Sequence, residues 1–153
     1  GALGAFVIAA GAGRLLGGPL WGGLADRAAH RAMILGGVLA VITAAYAASF
    51  ALLPEQLQRF YLFAPVFVLN AIAYAGIRLG RKTWLVDYAP PDDRPLYVSL
   101  ANTLVGVAML AGSLFGVLAG AAGPQVTVIT GAVLLAAGSA LAASLPHVSE
   151  ADA

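Results

Sequence analysis

Long apolar runs, separated by short polar turns, set the pattern of this chain. Residues 3–22 are apolar apart from Arg14, and residues 33–53 carry no charge before Pro54 and the polar group Glu55, Gln56, Gln58 and Arg59. A third run opens at Phe60 and stays uncharged to Ile77. From Pro95 to Ser149 there is no Asp, Glu, Lys or Arg at all, with Gly123-Pro124-Gln125 as the one turn signal inside. Runs of about 20 apolar residues match the hydrocarbon thickness of a bilayer. Five helices are therefore predicted, over about 3–22, 33–53, 60–84, 96–121 and 126–145. Pro90, Pro91 and Pro95 place a polar turn over 87–94, because proline lacks the amide that a helix interior needs. The fold class is all-α, a polytopic membrane helix bundle.

Composition strengthens this reading. Hydrophobic residues make up 61% of the chain and charged residues 10%, with a mean hydropathy of +0.90. A soluble domain carries roughly a quarter charged residues, so lipid is the partner that suits this surface. Cys is absent, which excludes disulfides and thiolate metal sites. His30 and His147 stand far apart with no ligand spacing, so neither a metal nor another cofactor is expected. The largest basic cluster is Arg78, Arg81 and Lys82 at a formal net charge of +1, too little for a nucleic-acid partner. No embedded His/Asp/Glu set suits acid–base chemistry, so no catalytic residue is expected. The chain opens at Gly1 inside an apolar run, and the expectation is a piece of a longer membrane protein.

Charge asymmetry orients the bundle. Five passes place the 23–32 loop, the 78–95 segment with its 85–95 loop, and the C-terminal tail on one side. Arg27, Arg31, Arg78, Arg81, Lys82 and Arg94 gather there, against Arg59 on the other. Positive loops face the cytoplasm, in the plasma membrane or a bacterial inner membrane. Small residues recur every four positions: Gly112, Gly116 and Gly120 in the fourth helix, Gly36, Ala40, Ala44 and Ala48 in the second, and Gly13 and Gly17 in the first. That spacing puts them on one face, where backbones can approach closely. The stripe at 112, 116 and 120 is expected to pack a neighbouring helix.

The most specific string is Gly22-Gly23-Leu24-Ala25-Asp26-Arg27-Ala28-Ala29-His30-Arg31, joining the first two helices. It resembles the loop signature of the major facilitator superfamily of secondary transporters, in which Gly, three residues and Asp-Arg precede a second Gly and a basic pair. Gly22, Asp26, Arg27 and Arg31 match; Ala29 stands for the second Gly and His30 for the first basic residue. The segment from Arg81 to Tyr97 looks like that family's link between helices 10 and 11. The resemblance implies that residues 1–153 form an incomplete half of the fold, helices 8 to 12, with helices 2 to 6 as the alternative register. The missing helices would then be a partner. It further implies transport of a small solute by alternating access; a non-transporting assembly or scaffold protein is the rival. By resemblance, Asp26, Arg27 and Arg31 would latch a cytoplasmic gate with Arg78, Arg81 and Asp87, against a plainer role as membrane anchors.

Arg14 lies 12 residues before Asp26, about 18 Å along a helix, well inside the membrane. A charge there faces a hydrated cavity, a counter-charge or backbone carbonyls. An anionic or zwitterionic solute is one expected partner, and a structural or snorkelling arginine is the other reading. Asn70, Tyr74 and Arg78 recur at intervals of four as a polar stripe on the third helix. With Asn102 of the fourth helix, Arg14, Asn70 and Tyr74 are the candidate cavity residues. The competing role for the polar ones is interhelical hydrogen bonding, worth under about 1 kcal/mol each. Trp21, Trp84 and Tyr88 are expected as interfacial anchors.

Overall fold

A computed structural model describes residues 2–50, 52–54 and 59–146, with no statement on the side chains of Ala2 and Phe60. Residues 55–58 of the polar group and the C-terminal tail at 147–153 lie outside the described residues. The described elements are α1 (Ala2–Phe50), α2 (Phe60–Tyr88), α3 (Arg94–Gly112), α4 (Leu114–Ala122) and α5 (Pro124–Ala143). All are helical, as the apolar runs require.

α1 corrects the expected loop at 23–32. Helix continues through it, and only Ala28 departs, with φ −159° and ψ 74°. At 1.5 Å per residue α1 measures about 73 Å, more than twice a bilayer's hydrocarbon core of about 30 Å. It folds back at Ala28 into two arms, 2–27 and 29–50, each long enough to cross. Alanines make the sharp corner feasible: Ala25, Ala29 and Ala32 are buried beside it, together with His30 and Met33. Long side chains at those positions would hold the arms apart.

Both arms pack on α2, and the contacts fix their directions. Gly13 faces Val68 and Ala71, and Gly17 faces Ala75, so the first arm runs parallel to α2. Ala29 and Met33 meet Gly80, Gly36 meets Ala73 and Ile77, and the Tyr46 hydroxyl donates to the Leu62 carbonyl at 2.7 Å, so the second arm runs antiparallel. A cluster of Phe6, Phe50, Phe63 and Phe67 closes the end away from the corner. Phe6 stacks on Phe67 at 4.6 Å and Phe50 lies 5.1 Å from Phe63.

The remaining boundaries shift by a few residues, each for a local reason. The second arm stops at Phe50 rather than 53, where Leu52 and Leu53 donate back to Ser49 and Phe50 in a tight turn before Pro54. α2 extends to Tyr88 instead of ending near 84, because it stops only where Ala89 precedes Pro90. Asp87 therefore sits in its last turn and not in a loop. α3 and α4 together form the expected fourth span, 94–122, joined through Ser113 by a tighter turn: Ser113 donates to Leu110 and Gly116 to Ser113. α5 starts at Pro124, a favoured first helical position, and ends at Ala143 in a turn before Pro146.

α5 returns beside the second arm, where Ser139 sits against Gly37, and the Trp84 indole N–H donates to the Pro146 carbonyl at 3.1 Å. α3, α4 and α5 have no buried residue. Leu96, Leu100, Leu104, Leu110, Leu114 and Val117 are all more than half exposed, a surface that only hydrocarbon or further protein would cover.

Candidate functional site

A polar cavity of about 350 Å³ opens between the first arm and α2, lined by Arg14, Ala71, Tyr74, Ala75 and Arg78. The register between the two helices creates it. Gly13 and Gly17 face α2 without side chains, which brings the first arm close enough for Arg14 to share a cavity with Tyr74 and Arg78. Ala71 and Ala75 leave the space that larger residues would fill. Two guanidinium-bearing side chains thus share one hollow, and no acid is among its lining residues. Positive charges so placed raise each other's energy in a medium of low dielectric. An anion relieves both.

Trp21 holds this register. Its indole N–H donates to the Ile72 carbonyl at 2.8 Å, and its ring lies over Gly76, where an added Cβ would stand 2.6 Å from the indole. Trp21 is therefore a tether between α1 and α2, a role its sequence position did not indicate. Trp84 and Tyr88 do stack at the corner end, 4.7 Å apart. Trp21→Phe should lower the melting temperature by the equivalent of about 1 kcal/mol, the net worth of one hydrogen bond. A thermal-shift assay in detergent reads it.

The other sequence candidates distribute as follows. Asn70 is exposed one turn before Tyr74, on the same stripe but outside the cavity lining. Asn102 does not join Arg14 and Tyr74. It lies with Arg81 and Lys82 in a second cavity toward the corner end. Asp26, Arg27 and Arg31 are exposed at the corner, His30 is buried, and Asp87 is half-buried in the last turn of α2. Among the described residues neither Asp26 nor Asp87 forms an ion pair with these arginines. Arg78 lines the cavity with Arg14 rather than standing at the corner with the expected latch. Gly112, Gly116 and Gly120 face open space among the described residues. The close approaches occur instead at Gly13, Gly17, Gly36, Gly37, Gly76 and Gly80.

Sequence reasoning counted Lys82 only among the orienting charges and passed over Gly76 and Gly80. Lys82 continues the interval of four through Asn70, Tyr74 and Arg78, and these four are the exposed polar face of α2. Extending that count by one step would have found it.

Helices this long and apolar, wrapped around a polar hollow, define an integral membrane protein of the polytopic helical class. The family model of the Major Facilitator Superfamily matches residues 1–153, and the chain belongs to that family. No curated protein and no solved structure matches the chain significantly. Members of the family are transporters and not enzymes.

Proposed function

We propose that this chain supplies one wall of a secondary transporter that carries a small anionic solute, or the anionic end of a zwitterion, by alternating access. The observation that carries this reading is the pairing of Arg14 and Arg78 in a cavity with no acidic lining residue. Arginine presents a planar fork of donors suited to carboxylate or phosphate. Tyr74 adds a hydroxyl donor and an aromatic wall. The hollow is open along one side, and further helices of the transporter would close it. Rocking of two helix bundles about such a site exposes it to either face in turn.

In this reading the corner end faces the cytoplasm, since Arg27, Arg31, Arg81, Lys82 and Arg94 collect there. Asp26, Arg27 and Arg31 lie on that surface, with Arg81 and Asp87 on α2, placed to latch an opposing bundle when the outer side is open. Asp26→Asn should then lower the uptake rate about fivefold while leaving equilibrium solute binding unchanged, the pattern of a shifted conformational balance. Equal binding and equal uptake would leave Asp26 as a simple surface anchor.

The reading is tested by uptake into proteoliposomes of the intact transporter, comparing labelled phosphate, succinate and glutamate with neutral glucose and cationic choline. Saturable uptake confined to the anions and the zwitterion is expected. Uptake of choline or glucose alone would contradict the solute class. No uptake of any class would favour a membrane-assembly role.

A further inference from the structure

We infer that a second oxyanion-binding site lies between α2 and α3, formed by Arg81, Lys82 and Asn102. These residues line a cavity of about 150 Å³ whose remaining walls are Leu85, Val86 and Val98. At roughly 30 Å³ per water this is room for about five waters, or for one compact phosphate, sulfate or carboxylate head. All three polar side chains offer donors: a guanidinium fork, an ammonium and a carboxamide N–H₂. No acid is among the lining residues, so nothing within the cavity neutralises the two charges. Ionised donors make shorter, stronger hydrogen bonds to an oxyanion that enters.

The site is separate from the Arg14 cavity, with which it shares no lining residue. Both lie on the exposed polar face of α2. Lys82 is one interval of four beyond Arg78, about 6 Å along the helix axis. An anion released from Arg78 would meet Lys82 next on the way to the corner end; this transit role rests on the transport reading above, whereas the site itself does not. The same chemistry would suit the phosphate of an anionic lipid, and α3, with no buried residue, leaves the site within reach of one.

The test is equilibrium binding of ³²P-orthophosphate to the intact transporter in phosphatidylcholine nanodiscs. Lys82→Gln and Asn102→Leu should each weaken one class of bound phosphate about tenfold, which Arg14→Gln leaves in place; one charge-assisted hydrogen bond is worth that factor. Lys82→Arg should restore it, and the melting temperature should not move. Repeating the measurement with phosphatidylglycerol separates the sources. If the headgroup is the occupant, phosphate is displaced from this class and Lys82→Gln retains less phosphatidylglycerol by native mass spectrometry. If the transported anion is the occupant, phosphate binding is unaffected by the lipid. Phosphate binding and lipid retention that are the same in Lys82→Gln, Asn102→Leu and wild type, or no phosphate bound by the wild type, overturns the site. Loss of transport in Arg14→Gln bears only on the first cavity.

Discussion

Arg14→Gln should reduce anion uptake by between about tenfold and a hundredfold while the protein remains in the membrane at wild-type abundance. The size follows from removing a charged donor from a solute's first contacts, about 1.5–3 kcal/mol at 1.4 kcal/mol per decade. The sparing of abundance follows from the surroundings of Arg14. It is exposed within the hollow and shares it with a second positive group, so folding gains little from its charge. Removing one of two like charges relieves repulsion rather than breaking a pair. Arg78→Gln should behave in the same way, and Arg14→Lys should keep part of the activity because an ammonium lacks the planar fork. Flux measurements in proteoliposomes beside quantitative immunoblotting separate the two readings. Equal loss of flux and abundance would make Arg14 a structural residue.

The largest effect on stability is expected at Gly80. A Cβ there would lie 2.6 Å from the Ala29 carbonyl oxygen and 2.8 Å from the Met33 amide nitrogen. Both are backbone atoms of the second arm just past the Ala28 corner, so neither can swing aside. Gly80→Val must push the arm off α2, at a cost of about 1–3 kcal/mol or more for overpacking. Gly36→Val should act alike, facing the Ile77 amide at 2.8 Å and the Ala73 carbonyl at 2.9 Å. Thermal melting in detergent should show a marked drop for both. Gly116→Val, which meets nothing within 4 Å among the described residues, should leave melting unchanged. A comparable fall for Gly116→Val in the intact transporter would mean that another helix packs on the 112–120 stripe.

These glycines show what the sequence could and could not reveal. Spacing by four marks Gly36, Ala40 and Ala44 in the same way as Gly112, Gly116 and Gly120, and composition cannot say which stripe has a neighbour. The answer depends on the Ala28 corner, which carries the second arm back along α2 and gives Gly36 and Gly80 their contacts. A reversal between 23 and 32 was legible, but its tightness, a break confined to Ala28, was not. Gly22 and Gly23 suggest an ended helix, yet the buried alanines at 25, 29 and 32 let helix run to the turn itself. The apolar spans, by contrast, could be read directly, because their length is set by the bilayer.

The site divides along the same line. Arg14 and Tyr74 were recognisable singly, one as a charge in mid-span and the other on a four-residue stripe. That Arg78 joins them, while Asn102 goes to Arg81 and Lys82, follows from how α1 and α3 each register against α2. Local spacing contains no information on that register. The Trp21 bond to the Ile72 carbonyl, 51 residues away in the chain, is a further case. Its physical cause is the missing side chain at Gly76.

Whether the hollow beside α2 is a watery passage within the membrane can be measured directly by cysteine labelling: residues 1–153 hold no cysteine, and any elsewhere in the transporter are first replaced by serine. Single substitutions Tyr74→Cys and Ala75→Cys, in the intact transporter in membranes, should react quickly with a charged, membrane-impermeant methanethiosulfonate. Leu104→Cys and Leu134→Cys, on the apolar surface, should stay unreactive. Labelling of Tyr74→Cys and Ala75→Cys no faster than those two leucine positions would contradict a hydrated transport cavity.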